Sequence, residues 1–69
     1  MKTLDTVALT QNLPDLDLYK GQVGTIIEVY EPTVFEVEFV DLKGKIYAVE
    51  TLEASQLMQL YYDPLPQTA

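Results

Sequence analysis

The chain has 69 residues, with eleven Asp and Glu against four Lys and no Arg, His or Cys, for a net charge of −7. That length forms one domain, and the missing residue types exclude disulfides, zinc sites, thiol chemistry and His-assisted nucleophiles. A hydrophobic content of 48% excludes a disordered chain, and the acidic balance opposes the phosphate contacts on which nucleic-acid binding rests.

Short runs of β-forming residues alternate with Gly, Pro and Asp, an all-β pattern. Asp5 to Thr10 reads as the first strand, with Val7 and Leu9 on one face. Gln11 to Gly21, with Pro14, three Leu and two Asp, reads as an irregular loop folded over the barrel. Val23 to Tyr30 is the second strand, entered through Gly21 and Gly24, and Glu31-Pro32-Thr33 turns the chain. Val34 to Val40 is the third strand, Leu42-Lys43-Gly44 a turn, and Lys45 to Thr51 the fourth strand. Leu52 to Leu57 suits a single helical turn, and Met58 to Tyr61 a short fifth strand. Together these elements predict a small SH3-like barrel of about five strands, with one short helical turn before the last. Residues 1–62 form that domain and residues 63–69 a flexible tail. An OB-fold is the alternative, and would need longer strands and a real helix.

In the third strand Phe35, Val37 and Phe39 alternate with Glu36 and Glu38, which puts the aromatic set inside and the glutamates outside. Val23, Ile27 and Val29 then share the core face of the second strand, leaving Glu28 and Tyr30 outside. A three-residue loop pairs Tyr30 with Val34, Val29 with Phe35, and Glu28 with Glu36. If Asp41 pairs with Lys45, Phe39 meets Tyr47, Val37 meets Val49, Glu38 meets Ala48 and Glu36 meets Glu50. The predicted outcome is an acidic row of Glu28, Glu36 and Glu50 across three strands, with Glu38 beside it and Tyr30 at its end.

Directly opposed like charges destabilise a sheet by a few tenths of a kcal/mol to about 1 kcal/mol per pair, less in salt. Such a face can serve as a docking surface for a basic partner, or simply keep a small sheet soluble. A divalent cation is a poorer fit, because flat strands do not wrap the six to eight oxygens that calcium takes. Of the five tyrosines, Tyr47 reads as core, while Tyr19 and the pair Tyr61-Tyr62 are placed to line a groove between the long loop and the chain end. A proline-peptide site lacks its Trp and aromatic cluster. Gly21-Gln22-Val23-Gly24 lacks the Lys and helix of a phosphate loop, so neither enzyme activity nor a cofactor is expected. No apolar run approaches the roughly 18 residues that span a bilayer, and Met1 to Asp5 lacks the apolar stretch of a signal peptide. A cytoplasmic location is the expectation.

The stretch Lys20 to Tyr30 (KGQVGTIIEVY) resembles the strand-entry motif of KOW-type SH3-like domains. Taken with Leu4 to Leu9, Phe35 to Asp41, Thr51-Leu52 and Ser55 to Met58, the chain up to Leu60 resembles an uncharacterised family of short bacterial proteins. That family is frequent in cyanobacteria and classed only as a domain of unknown function. The resemblance implies an SH3-like fold and a bacterial cytoplasmic setting, and brings no site residues with it. KOW domains of ribosomal and transcription proteins present basic loops to RNA, which this acidic chain lacks.

These observations point to a non-catalytic protein-interaction module that docks a basic protein through Glu28, Tyr30, Glu36, Glu38 and Glu50. Two other readings stay open: an antitoxin-like inhibitor of a neighbouring toxin, and a structural accessory subunit of a larger complex.

Overall fold

Period-two alternation and β-branched content produce five strands in the computed structural model, which describes residues 1–61. They are β1 (Thr6–Leu9), β2 (Val23–Glu31), β3 (Val34–Val40), β4 (Ile46–Glu53) and β5 (Leu57–Leu60). All pair antiparallel in one sheet of order β4-β3-β2-β1-β5. The sheet is not closed into a barrel: β4 and β5 are its two edges. Among the described residues, helical structure is confined to two three-residue 3₁₀ turns, Pro14–Leu16 in the long loop and Ala54–Gln56 before β5. No described helix is long and apolar enough to cross a membrane. The expected tail, residues 63–69, and Tyr62 lie outside the described residues.

One face of the sheet carries the core. Val7 and Leu9 of β1 face Ile26, Phe35, Val37 and Phe39, with Leu52 and Leu57 completing the cluster. Each such side chain contributes about 1.5–3 kcal/mol when fully buried, offsetting the backbone ordering cost without any cross-link. The long loop supplies its own plug. Leu13 and Leu18 exchange backbone hydrogen bonds of 2.8 and 3.2 Å, the 3₁₀ turn lies between them, and Leu18 is buried in the core. That loop is therefore more ordered than its irregular composition suggests.

The register departs from simple alternation at three points. Glu28↔Glu36 and Val29↔Phe35 pair as expected, but the ladder then steps to Ile26↔Val37, leaving Ile27 as an extra residue. A bulge reverses the inside–outside parity of everything beyond it. Ile26 is thus the core residue at 0% exposure, whereas Val23 and Ile27, expected inside, are 46% and 37% exposed; Val29 keeps its place opposite Phe35 on the core side but is 37% exposed. A second shift leaves Tyr30 unpaired between Val29↔Phe35 and Glu31↔Val34, in place of the expected Tyr30–Val34 pair.

The β3–β4 hairpin starts in the expected register. The Asp41 amide donates to the Lys45 carbonyl, and Asp41 Oδ1 accepts from the amides of Lys43 and Lys45. Gly44 takes the positive φ of 81° that this tight turn requires. Val40 then pairs with Ile46, but Phe39 pairs with Ala48, so Tyr47 bulges out. Its ring lies 6.2 Å from that of Phe39, yet it is 46% exposed and not the core residue expected. Past this bulge every expected partner shifts by one: Val37 meets Glu50, Glu38 meets Val49 and Glu36 meets Thr51.

Candidate functional site

The acidic residues are distributed by those bulges. Glu28 on β2 lies directly opposite Glu36 on β3, on the face away from the core. Glu38 follows two residues along β3 on the same face, between Thr25 on β2 and Val49 on β4. Glu50 does not join them. Its partner is Val37, so it shares the core-side face at the β4 edge, and the place expected for it beside Glu36 is taken by Thr51. The Thr51 hydroxyl donates to Glu36 Oε1 at 2.7 Å, which holds that carboxylate toward the β4 side.

Tyr30 belongs with the glutamate pair. Its hydroxyl is held above the ordinary tyrosine value of 10.0, first by loss of solvation and then by the negative charges of Glu36 and Glu28. The ring itself is 54% exposed. Among the described residues the one ion pair is Lys2 with Asp5, at 3.9 Å, so neither Glu28 nor Glu36 has a lysine in salt-bridge reach. No three carboxylates among the described residues converge to hold a metal ion. The anticipated groove between the long loop and the chain end would be lined in part by Tyr62, which lies outside the described residues. Tyr19 donates instead to Asp17 Oδ1, and Tyr61 is largely exposed. This surface can attract and orient a cation.

A second feature of the same face escapes simple alternation. Val40 pairs with Ile46, and Ala8 pairs with both Val23 and Met58. Because Gly24 pairs with Phe39, Val23 and Val40 are level one step further along. Ile46, Val40, Val23, Ala8 and Met58 therefore form a row across all five strands. Except for Ala8, its members are 42–53% exposed. Once Gly24 is recognised as the inward residue, Val23 must face out, and that was the one local signal for this row.

A family model described as a domain of unknown function (DUF4926) matches residues 3–59. The chain belongs to this family. The matched segment takes in Glu28, Tyr30, Glu36 and Glu38 along with most of the sheet. No curated protein and no solved structure matches the chain.

Proposed function

We propose that this DUF4926 member is a non-catalytic protein-interaction module that docks a basic protein surface through Glu28, Tyr30, Glu36 and Glu38. The carrying observation is the direct opposition of Glu28 and Glu36 on an exposed face, without a lysine to neutralise either. A sheet tolerates that repulsion at a cost, and a partner's Lys or Arg would remove it. Such a face raises the encounter rate and sets orientation more than it sets affinity. The net charge of −7 extends the same field to longer range and disfavours nucleic acid.

The order β4-β3-β2-β1-β5, with a long loop after β1 and a 3₁₀ turn before β5, supports a finer reading of the fold. It is that of an SH3-like barrel open between β4 and β5, with the KOW-like entry into β2; the family resemblance, not the fold, is what suggests a bacterial cytoplasmic setting. A structural accessory subunit is the second reading, favoured by the exposed row of Ile46, Val40, Val23 and Met58.

The test is capture of partners from a native lysate by the tagged chain, at low and then high salt. One stoichiometric basic protein, released by salt and lost with Glu36→Lys, supports docking. Capture that Glu36→Lys leaves unchanged refutes it.

A further inference from the structure

We propose that β4 is an edge competent to pair with a second copy of this chain, and that the charge of Glu50 keeps the two copies apart. This inference is independent of docking on the outer face, from which the bulge at Tyr47 removes Glu50.

The edge itself is well formed. Among the described residues β4 pairs with β3 on one side, and β5, at the far edge of the sheet, does not close against the other. That free side carries a row of backbone donors and acceptors, the feature on which another strand adds. Past the bulge, Ala48 to Glu53 pair with β3 without interruption, a run of about 20 Å at about 3.3 Å per residue. The second edge is blunted by other means. β5 has four residues, and its core-side Gln59 is tied to Asp5 Oδ2 by a 2.8 Å hydrogen bond.

Three residues of the β4 run take the core-side face. Ala48 opposes Phe39, Glu50 opposes Val37 and Leu52 opposes Phe35. Glu50 thus interrupts an otherwise apolar inner row, opposite a fully buried valine. It has no lysine in salt-bridge reach among the described residues, where no side-chain oxygen is buried without a partner. Its half-buried carboxylate therefore depends on water reaching it past the open edge. A strand added to β4 would shut that path, and covering an unpaired charge costs more than strand pairing returns.

Register adds repulsion to desolvation. Two β4 strands joined antiparallel with their core-side residues on one face have three central registers. These set Glu50 opposite Ala48, Glu50 or Leu52 of the second copy. In one the carboxylates are directly opposed, and in the other two they are diagonal neighbours about 7–8 Å apart. No central register separates them. A valine at position 50 would instead join Ala48 and Leu52 of both copies in one apolar row, with a β-branched residue that suits a strand.

The test compares the native chain, Glu50→Val and Glu50→Lys by sedimentation velocity, with amide hydrogen exchange to locate any interface. At about 100 µM, Glu50→Val should run as a dimer and the other two as monomers, a gain in self-affinity of about a hundredfold or more. The amides slowed in that dimer should lie between Ala48 and Glu53. Glu50→Lys relieves more of the net negative charge than Glu50→Val does, so a monomer there assigns the block to a charge at this point on the edge. Glu50→Thr, neutral and β-branched, takes the place of the valine variant if that one precipitates, and should dimerise in the same way.

A neutral β-branched variant that stays monomeric overturns the proposal. So does a dimer protected somewhere other than β4, or a Glu50→Lys chain that associates as strongly as Glu50→Val. Slow exchange in the native monomer, at the β4 amides that point away from β3, also overturns it, because another segment of the chain then already covers the edge.

Discussion

Gly24 leaves no room for a side chain where β2 pairs with β3, and an alanine there has a calculable consequence. A methyl group at position 24 would lie 2.6 Å from Val37 Cγ1, 3.0 Å from the Glu38 carbonyl oxygen and 3.1 Å from Phe39 Cδ2. The Val37 side chain is fully buried and the carbonyl belongs to the paired strand, so neither yields by a simple rotamer change. Overpacking of this kind costs about 1–3 kcal/mol, a large part of the roughly 3–5 kcal/mol that a single core of this size supplies. With a urea slope of about 1 kcal/mol/M for a small domain, Gly24→Ala should lower the unfolding midpoint by about 1–3 M. Gly44→Ala serves as the contrast. An added methyl there meets nothing within 4 Å, and its cost of about 1–2 kcal/mol comes from positive φ alone. It should leave the amide spectrum of β2 and β3 unchanged, whereas Gly24→Ala should move it. A Gly24→Ala variant with an unaltered midpoint and unaltered β2 and β3 shifts would refute the close packing inferred at this crossing.

The bulge at Ile27 makes two adjacent isoleucines unequal: Ile26→Ala should cost about 2–5 kcal/mol and Ile27→Ala much less, and equal losses in urea midpoint would contradict the register. Tyr30 should ionise above the ordinary tyrosine value of 10.0. Its folded-state value is raised, so the folded chain holds the proton longer than the unfolded one. The contribution to stability is present below pH 10 and lost as pH rises through the higher folded value. Ultraviolet titration should show the highest-pH step vanish in Tyr30→Phe and move down in Glu36→Gln; a step that ignores both substitutions would disprove the proximity.

How far the sequence reached can be traced along β2 and β3. The strict alternation Phe35-Glu36-Val37-Glu38-Phe39 carried its own face assignment, and Glu28 came opposite Glu36 as expected, but through a tighter turn closed by Glu31↔Val34 and a bulge at Tyr30 rather than through the three-residue loop. Beyond those points the reading failed at single residues. Ile26 and Ile27 are chemically alike, so either satisfies the period-two pattern, and packing alone chooses between them. Tyr47 bulges without any Gly to announce it, and that one residue carries Glu50 to the other face and puts Thr51 beside Glu36. Leu18 was legible as a loop leucine but not as a core plug, because its burial depends on the Leu13–Leu18 pairing closing the loop. The Glu28–Glu36 pair was thus readable because the Tyr30 bulge offset the tighter turn, and the place of Glu50 was lost because nothing offset the bulge at Tyr47.

The division of the glutamates between two faces allows the most direct test of the docking proposal. The captured partner's dissociation constant should be measured against salt for the unmodified chain, Glu36→Gln and Glu50→Gln. Glu36→Gln should weaken binding and flatten its salt dependence, because it removes charge from the docking face. Glu50→Gln, on the opposite face, should leave both nearly as they were. Equal effects of the two substitutions, or a larger effect at Glu50, would contradict docking through the Glu28–Glu36 face.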